Sequence, residues 1–361
     1  MATDKLKDVY GVHSSSQVKM FYWHLVAGLK RRLKKGLTLP AEFIFKKAEK
    51  SLIREDIADI KYAPIFIICP PRAGSTLLYQ LITTHFTVCY FSNFMMLFRS
   101  TPVVMAKILS RVNGCNPSES FSSTYGETMG WRSPNQGREI WYRWFPSDNS
   151  YVGSGIISKY ALGGIRNTIA LIQSAFDAPF VNKWPVNSGR LLPIAEAFPE
   201  ALFIRVKRDP VFVAQSILRA KRTLLKNDKE WVSAKPRNHN IIKHKEPLEQ
   251  ACEQVFYIEK DIDRDCKFIG EEKFMSVHYE EICKSPHRVM GEIANFYKRR
   301  WKNIILGARH KVPSSFQSSD SVKVTLDEFK FIKTILRSST NNCRRSSEDL
   351  LVMMKQIFIW D

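Results

Sequence analysis

One stretch constrains this chain more than any other: IFIICPPRAGSTLLYQL, residues 65–81. Four apolar residues, Ile65 to Ile68, read as a buried strand, and the apolar run from Thr76 to His85 reads as a helix. A Gly/Ser/Thr turn between them leaves the first N–H groups of the helix unpaired at the positive end of its dipole, where an anion binds readily. Gly74 lets the backbone come close to a phosphate, and Arg72 adds a charged fork. The loop departs from the Walker pattern, which wants a glycine at 69 and a lysine at 75; the chain has Cys69 and Ser75 there. The plain alternative is a strand-to-helix turn capped by hydroxyls.

Further strands are expected at 179–183, 201–207 and 274–278, and helices at 188–198, 210–222, 247–266 and 286–300. Strands alternating with helices predict an α/β fold around a parallel sheet. Its limits would be a basic helical extension over 1–60, an α/β domain over 61–300 and a C-terminal extension over 301–361, with a last helical run near 350–357. The chain has 361 residues, 44% of them hydrophobic, enough for a large core. No apolar run reaches the ~20 residues of a membrane span. The opening MATDKLKDVYGVHSSS lacks the regions of a secretory signal, and seven cysteines without CxxC spacing suit reduced thiols, so a cytoplasmic protein is expected.

A formal net charge of +20 points to polyanionic partners: nucleotides, acidic glycans or an anionic membrane face. Nucleic acid is not expected, because no zinc-finger, RRM or helix-turn-helix signature is present. Residues 17–49 read as a basic helix, with a break at Gly36 and Pro40. Its aromatics Phe21, Tyr22 and Trp23 beside Lys30, Arg31 and Arg32 suit either the inner face of a membrane or packing on the main domain.

A second segment, ALFIRVKRDPVFVAQSILRAKR, ends a strand in Lys207 and Arg208, then starts a helix with Asp209 as cap and Pro210 at the first position. A metal-holding carboxylate would end such a strand in a Walker B motif; Arg208 stands there instead. Ser216 lies two turns into the helix, so a cation and a hydroxyl can grip one further phosphate. Two anion grips without a metal acid suggest a nucleotide carrying phosphates at two places.

At this point the residues resemble the sulfotransferases that use 3′-phosphoadenosine 5′-phosphosulfate (PAPS). Pro71-Arg72-Ala73-Gly74-Ser75-Thr76 is similar to their 5′-phosphosulfate loop, and Arg208 with Ser216 to their 3′-phosphate motif. VHYEEICKSP, residues 277–286, is similar to a third family segment, and NKWPVNSGRLLPIAEAFPEALFI to the stretch leading into the 3′-phosphate strand. The ordered set covers about residues 62–300 and looks closer to the bacterial carbohydrate and lipid-type branches than to the small-phenol enzymes. The resemblance implies a P-loop-like three-layer sandwich with a central parallel sheet flanked by helices. It implies that Arg72, Ala73, Gly74, Ser75, Thr76 and Leu77 surround the 5′-phosphosulfate, that Arg208 and Ser216 bind the 3′-phosphate, and that PAPS is the co-substrate with no metal.

The sulfuryl group would then pass to a hydroxyl or amine of an acceptor, a glycan or glycolipid in view of the charge. Many relatives carry a histidine just after the lysine matching Lys183, whereas here Trp184 and Pro185 follow. Lys183 can still stabilise the bridging oxygen. Glu127 is the first candidate for the base and Glu139 a distant one; an ordinary surface carboxylate is the alternative for Glu127. His85 is read as structural. Trp131, Trp141 and Trp144 are candidates for stacking on a sugar or for the core. Two other readings stay open: a P-loop kinase using ATP and magnesium, and an inactive family member that binds anionic glycan or membrane.

Overall fold

In a computed structural model the described residues are 38–53, 59–112, 121–301 and 312–338. The chain divides into two compact units, 1–52 and 53–361. In the first, α1 (Thr38–Leu52) is the described element. Pro40 sits in its first turn, where a missing N–H is harmless, so this proline opens the helix and does not break it. The remainder of the expected basic helix, residues 17–37, lies outside the described residues.

The second unit is built on four parallel strands, β1 (Ile65–Ile68), β4 (Val181–Lys183), β5 (Leu202–Lys207) and β6 (Phe274–His278), in the order β4-β1-β5-β6. A separate hairpin of β2 (Ser123–Thr124) and β3 (Glu127–Thr128) stands apart from the sheet. Its helices are α2 (Ser75–His85), α3 (Asn93–Leu97), α4 (Pro102–Arg111), α5 (Arg138–Trp141), α6 (Lys159–Phe176), α7 (Leu191–Ala197), α8 (Pro210–Ala220), α9 (His239–Ile242), α10 (Pro247–Ile269), α11 (Tyr279–Lys284) and α12 (Pro286–Arg300). A last described helix, α13, spans 326–338.

Side chains alternate across the sheet and bring helices to both faces. On one face Phe66 meets Trp141, Phe198 and Phe203, while Arg205 pairs with Glu259 and Asp263 of α10. On the other, Ile65, Ile67, Leu202 and Ile204 join Leu78 and Ile82 of α2 and Ile293 of α12 in the core. β1 is buried along its whole length, and each such side chain contributes about 2 kcal/mol. The expected three-layer α/β sandwich is the one observed.

Boundaries moved where turn chemistry outweighed periodicity. The helix expected from Ser188 starts at Leu191, because Pro185 opens a separate 3-10 turn, Pro185–Gly189, and Arg190 between them adopts a non-helical ψ. The helix expected over 210–222 is α-helical to Ala220 and widens into a π turn over Lys221–Leu225. The run expected near 350–357 lies outside the described residues. α13 was not anticipated.

Candidate active site

All four strands of the sheet end on one cavity of about 280 Å³. Lys183 closes β4, the 69–76 loop follows β1, Arg208 follows β5 and Tyr279 follows β6. Strand order thereby becomes an order of functional groups: an ammonium, a phosphate-type loop, a guanidinium and a ring. The carboxyl ends of parallel strands are where open α/β sheets bind ligands. A second hollow, lined by Glu272, Phe274 and Arg299, lies at the start of β6, on the opposite edge.

The loop is held from behind. Cys69 N–H donates to Ser188 Oγ and the same hydroxyl donates to Cys69 O, both at 2.9 Å, which ties the 3-10 turn after β4 to the loop. Burial pushes the Cys69 thiol up to about 12, so it is a packed neutral group. Gly74 is the N-cap of α2 at φ 96° and supplies no side-chain cap, so the N–H groups of Ser75 and Thr76 open the helix toward the cavity. A Cβ at Gly74 would stand 2.2 Å from Tyr279 Cδ2, so only glycine fits against that ring. Ala73 is in the core and its N–H donates to Pro70 O at 3.4 Å. Leu77 N–H donates to Gly74 O at 3.1 Å, and Leu77 meets the cavity as part of its wall.

The cations converge. Arg72, in the left-handed region at φ 70°, donates from Nε to Ser216 Oγ at 3.2 Å. Arg208 donates from Nη1 to Arg72 O at 3.2 Å and lies over the Tyr279 ring at 4.4 Å. Burial lowers the affinity of Arg72 for its proton, and the charges of Arg208 and Arg219 lower it further. Arg208 also donates from Nη2 to Ser319 O at 2.6 Å and contacts Asp320 Oδ1 at 3.3 Å, while its buried Nε has no partner among the described residues. Asp209 caps α8 by accepting from Val211 N–H at 2.8 Å, the role its place before Pro210 implied.

Lys183 is 2% exposed. Burial brings its ammonium down to about 8; Arg72 adds to the fall, while Cys69 and Glu127 oppose it. Over it lies the turn of the β2–β3 hairpin, Tyr125 at φ 51° and Gly126 at φ 90°, both left-handed as a type I′ turn requires. A Cβ at Gly126 would be 3.6 Å from both Lys183 Nζ and Thr76 Oγ1, so this backbone walls the space between them. The Arg72 guanidinium stacks on Tyr125 at 5.1 Å.

Glu127 follows this turn on β3, is exposed, and its charge acts on Lys183. Glu139 is bound to Arg138 at 3.1 Å. His85 packs on Phe86, 4.7 Å between ring centroids, as a structural residue would. Trp141 is core, Trp144 packs on Gly164, and Trp131 is exposed; none of the three lines the cavity.

Sequence reasoning therefore brought together Arg72, the loop, Lys183, Arg208 and Ser216, which all line the cavity except for buried Ala73. It missed Tyr125, Gly126, Gln136, Tyr279 and Ser319. Tyr279 lies within the VHYEEICKSP segment and was within reach as an aromatic directly after a strand. The others depend on which loops fold back over the sheet.

The Sulfotransferase family profile matches residues 64–303. Sulfotransferase STF9 from Mycobacterium avium is similar in structure, with 14% identity, 73% of this chain and 71% of that chain covered, and a TM-score of 0.46. Sulfotransferase STF1 from Mycobacterium tuberculosis H37Rv gives 14%, 81% of each chain and 0.46. A sulfotransferase from Alicyclobacillus acidocaldarius gives 16%, 78% and 93%, and 0.39. No curated protein sequence matches significantly. The chain belongs to the sulfotransferase family, and its class of reaction is sulfuryl transfer.

Proposed function

We propose that the protein moves a sulfuryl group from PAPS to a hydroxyl or amine of a glycan or glycolipid acceptor. The observation that carries this reading is the convergence of Arg72, Ser216 and Arg208, two cations and a hydroxyl from beyond two adjacent strand ends, on one cavity. Two guanidiniums held this close repel each other, and a bound polyanion offsets the repulsion. The unpartnered Nε of Arg208 is a buried donor of the kind a 3′-phosphate would satisfy. Arg72 and the N–H groups of Gly74, Ser75 and Thr76 would hold the 5′-phosphosulfate.

The acceptor oxygen or nitrogen attacks sulfur, the bond from sulfur to the bridging phosphate oxygen breaks, and adenosine 3′,5′-bisphosphate leaves. Lys183, beside Thr76 across the Gly126 turn, neutralises charge on the bridging oxygen. Glu127 takes the acceptor proton. Its exposed position just after the hairpin turn suits an acceptor arriving from solvent. Residues 17–49 would add a peripheral contact with an anionic membrane.

A second reading, an inactive family member that binds anionic glycan or membrane, rests on the exposure of Glu127 and on the lack of any histidine among the described lining residues. Sulfur-labelled PAPS incubated with glycan and lipid fractions separates the two. Transfer that disappears in Arg72→Ala supports the enzyme. Nucleotide binding without label transfer to any fraction supports the second reading.

A further inference from the structure

Away from the cavity, the second unit carries a patch of apolar side chains facing solvent. Trp131 is 51% exposed, Leu97 44% and Val112 55%. They are neighbours. The Phe94 ring stands 5.8 Å from that of Trp131, and Leu97 follows Phe94 by about one turn of α3. Arg132 stacks on Trp131 at 4.3 Å and donates through Nη2 to the carbonyl of Val112, just past the end of α4, at 3.1 Å. Ile108, 39% exposed, lies one turn earlier on α4. An exposed apolar patch of this kind marks a contact surface.

Its charge identifies the partner. Residues 86–118 and 128–138 contain no Asp or Glu, while Lys107 and Arg111 on α4, Arg99 just after α3 and Arg132 beside Trp131 are cations. We propose that this face docks on an anionic lipid bilayer. Leu97, Ile108 and Val112 would enter the acyl boundary, Trp131 would sit at headgroup level, and the cations would meet lipid phosphates. A second copy of the chain is a poor occupant, because a symmetric contact would set Arg against Arg without a carboxylate between them. The short segment that carries Trp131 on this face also carries Gln136 in the cavity wall, so docking surface and cavity share one loop. This surface is distinct from residues 17–49 and does not depend on the sulfuryl-transfer reading.

Co-sedimentation of the full chain with vesicles tests it. Wild type should pellet with phosphatidylglycerol-containing vesicles and not with phosphatidylcholine alone. Leu97→Gln with Trp131→Gln should weaken this binding about tenfold. Arg99→Gln with Arg111→Gln should do so by a similar factor, with a flatter salt dependence. Circular dichroism and affinity for adenosine 3′,5′-bisphosphate check that each variant is folded. Equal binding to neutral vesicles, or unchanged binding in both double variants, overturns the proposal. So does a lipid-free dimer, seen by sedimentation, that the Leu97/Trp131 variant dissociates.

Discussion

Arg72 and Ser216, 144 residues apart in sequence, meet at 3.2 Å between Nε and Oγ. The contact joins the loop after β1 to the helix after β5, and it orients a guanidinium that would otherwise swing free on its stem. A phosphate gripped by one of these groups is thereby referenced to the other. On the proposed function, where Arg72 faces the transferring group, Arg72→Ala should abolish sulfuryl transfer by removing that charge. Ser216→Ala should weaken adenosine 3′,5′-bisphosphate about tenfold, the worth of one hydrogen bond to a charged partner. Steady-state rates and calorimetry read the two effects separately.

Lys183 works at the expense of stability. Its ammonium titrates at about 8 in the folded chain against an ordinary 10.5. Between those values the unfolded chain holds a proton that the folded chain lacks, so this residue makes stability rise with pH across that window and imposes a constant penalty of about 3 kcal/mol below it. Lys183→Met should therefore raise stability in denaturant melts at pH 7, with the gain shrinking toward pH 10.5, while turnover is lost. Nucleotide binding at pH 8.5 should take up a proton in the wild type and not in the variant, because a nearby polyanion favours the charged ammonium. A destabilised Lys183→Met at pH 7 would contradict the account.

Gly74→Ala would drive a methyl group into the Tyr279 ring, 2.2 Å from Cδ2, at a backbone φ of 96° that side chains resist. A loss of about 2–3 kcal/mol is expected in chemical denaturation, along with loss of nucleotide affinity. Gly155, also at positive φ, has nothing within 4 Å of an added Cβ. Gly155→Ala should therefore show the backbone strain alone, and a comparable loss there would assign the Gly74 effect to strain and not to the ring.

Asp320 sets a carboxylate 3.3 Å from Arg208, where a phosphate is expected to bind. Its segment is fastened to α8 by Gln215, which donates to Ser321 O at 2.8 Å and accepts from Lys323 N–H at 3.0 Å. Asp320→Asn should tighten bisphosphate binding several-fold by removing like-charge repulsion. Weaker binding would show that the carboxylate orients Arg208 for the ligand.

What could be read in the sequence follows from how local each signal is. β1, β6 and α12 were legible because apolar runs and prolines mark them within a few residues. Arg72, Arg208 and Ser216 were legible because the strand-turn-helix context fixes where each must point. The Tyr125–Gly126 turn was not, since a two-residue strand pair carries no periodicity and its place over Lys183 is decided by a hydrogen bond from Gln136 Nε2 to Gly126 O at 3.3 Å. Ser319 and Asp320 lay in a polar, Ser-rich tail whose docking depends on the buried amide of Gln215. The proposed role of Glu127 as base rests on its charge acting on Lys183, which no local sequence signal announces.

On the proposed function, Arg72 and Arg208, converging on one cavity, hold a nucleotide phosphorylated at both the 3′ and 5′ positions. Titration calorimetry of adenosine 3′,5′-bisphosphate against ATP with magnesium, on wild type and Arg208→Ala, tests it most directly. A preference for the bisphosphate is expected, with an affinity that Arg208→Ala reduces about a hundredfold, as loss of a charge-assisted pair implies. A preference for ATP with magnesium, or bisphosphate affinity indifferent to Arg208, would contradict it.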